Sequence, residues 1–172
     1  CADPLLGCGP DCVDPQADQA HCGGCDHDCL GAACNAGLCA NEVVAAGQDE
    51  PFGVTLGATD VYWSCGGTSN RIRSIPKGGG SVVEEATAQV RPRQLVLAGS
   101  DLLWSNFGLT NDAAVMIKAL PAGSPTALVP NQNTGVWGIS VEGDFVYFSN
   151  QNDDTISRKS ITQGQPAQVV AA

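Results

Sequence analysis

The sequence predicts an all-β chain in two parts, a short disulfide-held segment followed by four-stranded units. Three observations lead there. Glycine and proline supply 31 of the 172 residues, methionine occurs once and charged residues make up 15%; turn formers abound, and the Glu, Lys and Leu of helical proteins are scarce. Eight of the nine cysteines fall between Cys1 and Cys39. Downstream, a hairpin ending in an aromatic residue recurs three times, with Trp63, Trp104 and Phe148 spaced by 41 and 44 residues.

Apolar residues make up 43% of the chain and the mean hydropathy is −0.01, which excludes a membrane-embedded or disordered chain. No apolar run approaches the ~20 residues of a membrane helix. Eight basic against eighteen acidic residues give a net charge of −10, which argues against nucleic acid and anionic membrane surfaces as partners.

The first segment contains Cys1, Cys8, Cys12, Cys22, Cys25, Cys29, Cys34 and Cys39, six aspartates and no Lys, Arg or Glu. So short a stretch cannot bury enough surface to hold itself together, and disulfides take the place of a core. They persist in oxidising surroundings, so an extracellular or cell-surface location is expected. The composition changes near residue 40, giving a disulfide-rich, loop-dominated module over 1–40 and a second domain over 41–172. Cys22-x-x-Cys25 with His21 and His27 alongside raises zinc as a rival, but four zinc ligands would leave other thiols unpaired in an oxidising compartment. Haem attachment is excluded because Asp26, not His, follows Cys25. A sequence headed by Cys rather than Met implies a processed N-terminus or a fragment.

The stretch CGPDCVDPQADQAHCGGCDHDCLGAACNAGLC, Cys8 to Cys39, resembles the stigma-specific cysteine-rich domain of plants and its bacterial relatives in cysteine spacing and in its VD, D and CG residues, with His21 where that family usually has Asn. The resemblance implies a secreted or surface-attached accessory module, and it places Cys1 at the family's first cysteine. Two readings follow. Cys1 is bridged inside the module, which the family spacing favours and which leaves Cys65 as a free or intermolecular thiol; or Cys1 carries lipid, as in a bacterial lipoprotein, and Cys65 completes four bridges. The connectivity stays open.

The repeat organises the rest. PFGVTLGATDVYWS, PRQLVLAGSDLLWS and VWGISVEGDFVYFS each read as two strands joined by a glycine turn, and each is followed by a third alternating run (from Arg71, Val115 and Thr155) and a fourth near Val82, Leu128 and Val169. Four-stranded units every 40 to 45 residues are the signature of a β-propeller, with blades over about 47–89, 90–133 and 134–172. VYWS, LLWS and VYFS also resemble the second-strand motif of YWTD- and NHL-type blades, although the Asp of YWTD is replaced by Cys65, Asn106 and Asn150. Trp63, Trp104 and Phe148, repeated at one position, are expected to pack between blades. Val43 to Ala45 reads as an extra fourth strand, giving thirteen. Three blades are fewer than the 4–8 of a closed ring, so further blades or other chains are expected to cover the flanks.

The candidate ligand face is formed by the loops after the second and fourth strands, with Asn106, Phe107, Asn131, Trp137, Asn152 and Asp153 as candidate residues; amides beside an aromatic suit carbohydrate or peptide. Catalysis is not expected. Both histidines lie in the cysteine module, so the blades contain no Ser-His-Asp set, and no G-x-S-x-G, Walker or dinucleotide motif occurs. Asn152, Asp153 and Asp154 could offer oxygens to calcium, as in the lactonase-type propellers that the blades distantly resemble, but adjacent aspartates in a turn are more often solvated; no cofactor or metal is expected, with calcium the alternative. The favoured function is a non-catalytic extracellular binding or adhesion protein. The alternatives are a structural subunit of an extracellular assembly or filament and a fragment of a calcium-dependent, lactonase-like hydrolase.

Overall fold

The computed structural model describes every residue except 30, 42, 134 and 163. The described residues form strands, turns and bends without a helix, and none therefore forms a helix long and apolar enough to cross a membrane. The chain divides into two compact units, Cys1–Val44 and Ala45–Ala172.

In the first unit, β1 (Leu6–Cys8) pairs with β2 (Asp11–Val13), and β3 (Cys34–Asn35) pairs with β4 (Leu38–Cys39). Four bridges hold it: Cys1–Cys12, Cys8–Cys25, Cys22–Cys34 and Cys29–Cys39. Their sulfurs serve as the core, with Cys22, Cys29 and Cys34 buried together against Ala32 and Cys39. The aspartates act locally. Asp14 and Asp18 each accept a backbone N–H two residues on, at 2.9 Å, from Gln16 and Ala20, and these Asx turns supply the bends that so short a segment needs. The Cys1–Cys12 bridge engages the sulfur that a thioether-linked lipid would require.

The second unit contains three separate four-stranded antiparallel sheets, each a meander in chain order: β5 (Pro51–Leu56), β6 (Asp60–Cys65), β7 (Arg71–Pro76) and β8 (Val83–Ala86); β9 (Pro92–Ala98), β10 (Asp101–Asn106), β11 (Ala113–Ala119) and β12 (Thr126–Gln132); β13 (Val136–Glu142), β14 (Phe145–Asn150), β15 (Thr155–Ser160) and β16 (Gln168–Ala171). The sheets do not close into a ring. Two strand assignments need correction. The third strand of the second sheet begins at Ala113 rather than Val115. Val43 to Ala45 forms no strand, so among the described residues the three sheets have twelve strands and the expected thirteenth is not formed. Val43 and Val44 are β-branched and all three residues are apolar, but strand propensity is expressed only where a neighbouring edge offers hydrogen bonds.

Residues that tolerate the left-handed region mark the sharp entries to the third strands. Asn70, Asn111 and Asp154 have φ of 48°, 55° and 53°, and the short polar side chains of Asn and Asp bear this at low cost.

Two apolar cores lie between the sheets. Tyr62, Ile72 and Ala86 of the first sheet meet Leu95, Leu102 and Trp104 of the second. Leu103, Ala113, Val115 and Val129 of the second meet Val136, Ile139, Val146 and Phe148 of the third. Trp63 instead lies on the outer flank of the first sheet, with Cys65, Ile75 and Ala45. The free thiol of Cys65 is buried there. At the first interface the inner strands nearly touch: a Cβ on Gly53 would stand 2.3 Å from the Arg93 carbonyl oxygen and 2.9 Å from the Gln94 Cα.

Candidate functional site

The first strand of every sheet carries the same irregularity. Pairing runs from Pro51↔Cys65 to Val54↔Trp63, from Pro92↔Asn106 to Leu95↔Trp104, and from Val136↔Asn150 to Ile139↔Phe148. In each case two residues oppose one serine, which is a β-bulge: Phe52 and Gly53 opposite Ser64, Arg93 and Gln94 opposite Ser105, Trp137 and Gly138 opposite Ser149. A bulge breaks the ladder and re-aims side chains. The serine repairs the break, since its Oγ accepts the stranded N–H of Gly53 (2.9 Å), Gln94 (3.2 Å) or Gly138 (3.0 Å). The same hydroxyl then donates across to the next sheet, from Ser64 to the Arg93 carbonyl and from Ser105 to the Trp137 carbonyl (2.7 Å).

The three re-aimed side chains, Phe52, Arg93 and Trp137, converge. The Arg93 guanidinium carbon lies 4.4 Å from the Phe52 ring centre, 5.2 Å from Trp137 and 5.5 Å from Phe107, which follows β10. Phe52 and Phe107 also contact Trp137, with ring centres at 5.7 and 5.2 Å. Trp137 is anchored by its indole N–H, which donates to Gln151 Oε1 at 2.6 Å. Phe52 is half exposed and Trp137 is 36% exposed. Among the described residues no carboxylate pairs with Arg93, and its buried Nε has no hydrogen-bond partner. A cation backed by three rings and lacking an anion is suited to taking a carboxylate from outside, because rings satisfy the face of a guanidinium but not its N–H donors.

Of the residues expected from sequence, Phe107 and Trp137 belong to this cluster. The amides do not join it. Asn106 is buried, and its amide donates to Gln89 Oε1 at 3.2 Å. That same oxygen accepts the Trp104 indole N–H at 3.0 Å, as Gln48 Oε1 accepts that of Trp63 at 3.1 Å. Asn131 is an exposed left-handed residue at φ 55°. Asn152 is exposed, and Asp153 accepts from Asn150 (2.7 Å) and Asn133 (3.4 Å). Sequence reasoning missed Phe52 and Arg93. Alignment of PFG, PRQ and VWG within the repeat could have found them, because all three re-aimed residues share one register position.

Among the described residues, the sulfurs of Cys22, Cys29 and Cys39 are the one cluster of metal-type ligand atoms, lying within 4.8 Å of one another. Each belongs to a disulfide and so cannot act as a thiolate.

Two carboxylates pin the loops that frame the cluster. Asp49 accepts the Ser69 N–H at 2.6 Å and the Thr68 hydroxyl at 3.1 Å, and Asp112 accepts the N–H groups of Leu109 (2.7 Å) and Thr110 (2.9 Å). Both are held below the usual carboxylate range, Asp49 chiefly by the Ser69 backbone and Asp112 chiefly by that of Thr110. A carboxylate lowered in the folded state stabilises it fully above its unfolded value of about 4, and that stabilisation is lost as pH falls through the lower folded value. The melting temperature is therefore expected to fall as the pH is lowered through and below the ordinary carboxylate value of about 4. Asp112→Asn should flatten part of that fall in a thermal titration; a wild-type melting temperature constant across the range would contradict it.

No protein-family model matches the chain, and neither does any curated protein. Solved structures do. A crystal structure of a nidogen/laminin complex superposes with a TM-score of 0.70 at 13% identity, over 78% of this chain and 53% of that one. The likeness is one of fold. This chain spans about half the length of that structure. The computationally designed Ika4 protein superposes with a TM-score of 0.62 at 14% identity, covering 77% of this chain and 81% of its own.

Proposed function

We propose that this chain is a non-catalytic extracellular binding protein whose three four-stranded sheets act as propeller-type blades, and that it contacts an acidic segment of a protein partner through Arg93, Phe52, Phe107 and Trp137. The observation that carries the reading is the Arg93 guanidinium, set against three rings and, among the described residues, without a carboxylate partner. Trp and Arg are among the residues most enriched at binding hot spots, and Phe is enriched in interface cores. The likeness to a structure solved as a nidogen/laminin complex supports a protein partner, and four disulfides support an oxidising location. The cysteine unit, with its stigma-specific spacing, serves in this reading as a stapled accessory module.

The test is a displayed random-peptide library selected on the immobilised chain, with a glycan array in parallel. Peptides rich in Asp and Glu should be enriched. Arg93→Gln should weaken the best of them by roughly ten- to a hundredfold, since a hydrogen bond to a charged group contributes about 1.5–3 kcal/mol. Arg93→Lys should not restore the binding, because an ammonium lacks the planar fork. Selected peptides that bind Arg93→Gln as well as wild type, or ligands found on the glycan array alone, would overturn the proposal.

A further inference from the structure

The serine relay is used twice and then stops. Ser64 and Ser105 each accept from their own bulge and donate to the carbonyl of the first bulge residue in the following sheet. Ser149 accepts from Gly138 in the same way, but among the described residues no sheet covers the face it opens on. That face repeats the buried positions of the first two. Ile156 stands where Ile72 and Val115 stand, opposite the relay serine; it is 42% exposed, whereas both counterparts are fully buried. Ala171 stands where Ala86 and Val129 stand. A shallow cavity of about 260 Å³ lies on the face, lined by Gln94, Gly138, Tyr147, Ser149 and Ile156 among others.

The opposite end of the array presents the complementary set. By register, Val54 and Leu56 of β5 are the counterparts of Leu95 and Leu97 in β9 and of Ile139 and Val141 in β13. Leu95 and Ile139 are buried against the preceding sheet, while Val54 and Leu56 are 66% and 65% exposed. The carbonyl that follows Arg93 and Trp137 in the relay series is that of Phe52.

We propose that the open face of the third sheet receives the first sheet of a second copy of this chain, head to tail, with Ser149 Oγ donating to the second copy's Phe52 carbonyl and its Val54 and Leu56 covering Ile156. The two interfaces inside the chain show the same geometry filled. One segment must yield. Residues 43–46 and 169–172 are both VVAA, and Ala45 packs on Trp63 as Ala86 packs with Trp104. The second copy's 43–46 therefore takes the place of 169–172, whose strand β16 is exposed throughout. Such a contact is heterologous, so it closes into a ring or extends as a filament.

Sedimentation of the full chain and of two variants tests this. Wild type should sediment as concentration-dependent species above 17.6 kDa. Ile156→Asp removes only the accepting face and Leu56→Asp only the inserting face, and each alone should weaken self-association by more than about tenfold. Mixed in equal amounts, the variants should form a 1:1 dimer and nothing larger, because one intact face of each kind remains. Ser149→Ala, which places no charge on the face, should weaken association more mildly. A wild-type chain that stays monomeric at every concentration, or a mixture of variants that does not pair while both retain wild-type circular dichroism, would overturn the proposal.

Discussion

Trp104→Ala is expected to remove about 3–5 kcal/mol of stability, measured by denaturant unfolding. The indole is fully buried between the first two sheets, against Tyr62, Ile72, Ala86, Leu95 and Leu102. Its loss leaves a cavity walled by two sheets, which cannot collapse without separating the strands that hold Arg93 in place. The deletion also leaves Gln89 Oε1 without its indole donor. Against the 5–15 kcal/mol typical of a folded domain, this is a large share. Trp104→Phe should cost much less, because the third sheet already carries Phe148 at the same position. A loss below about 1 kcal/mol for Trp104→Ala would mean that the sheets do not depend on this contact.

Glu85→Ala should cost about as much, roughly 3–5 kcal/mol, for a different reason. Lys118 of the second sheet reaches Glu85 of the first, Nζ to Oε2 at 2.5 Å, and also donates to the Glu85 backbone carbonyl at 3.0 Å. Their side chains are only 8% and 10% exposed. Truncating the carboxylate leaves a buried ammonium with only the Glu85 backbone carbonyl as acceptor, beside a largely apolar interface, and also strips the Ser74 hydroxyl of its acceptor. Combining Glu85→Leu with Lys118→Met should be close to neutral, since the counterpart of Lys118 in the first sheet is Ile75. The interaction energy of the double-mutant cycle is the quantity to measure; a value near zero would show that the pair is not coupled.

Much of the architecture was legible from VYWS, LLWS and VYFS, because alternation and turn residues are local signals that survive in three copies. The six-residue spacing from Leu56 to Tyr62 and from Leu97 to Leu103 marks a hairpin wherever it falls. The site was less legible. Phe52, Arg93 and Trp137 are chemically unlike, so similarity of residues does not group them; only register does, and register depends on a bulge that no single residue announces. Asn106 was read as a ligand amide because it lies at a loop, yet it serves Gln89 inside the fold. Pairing of eight cysteines was out of reach, as spacing alone allows 105 connectivities. Val43 to Ala45 pairs with no strand despite its two valines, because pairing is decided by partners outside its own sequence.

Gly53 does more than allow two backbones to pass. Where its Cβ would be, the Arg93 carbonyl already stands, so the inner strands of the first two sheets are one backbone width apart and act as the pivot of a fan. The equivalent place at the second interface is filled by Gln94, whose Oε1 accepts the Ile139 N–H at 3.3 Å, so the two sectors of the fan are set by different spacers. Any side chain added at 53 would work as a shim at the pivot. Strands in a sheet lie ~4.8 Å apart, and a small opening at the innermost strand grows with each strand outward. The displacement would then grow toward the outer strands, where β8 and β11 carry Glu85 and Lys118, rather than fall on the residues that touch the shim.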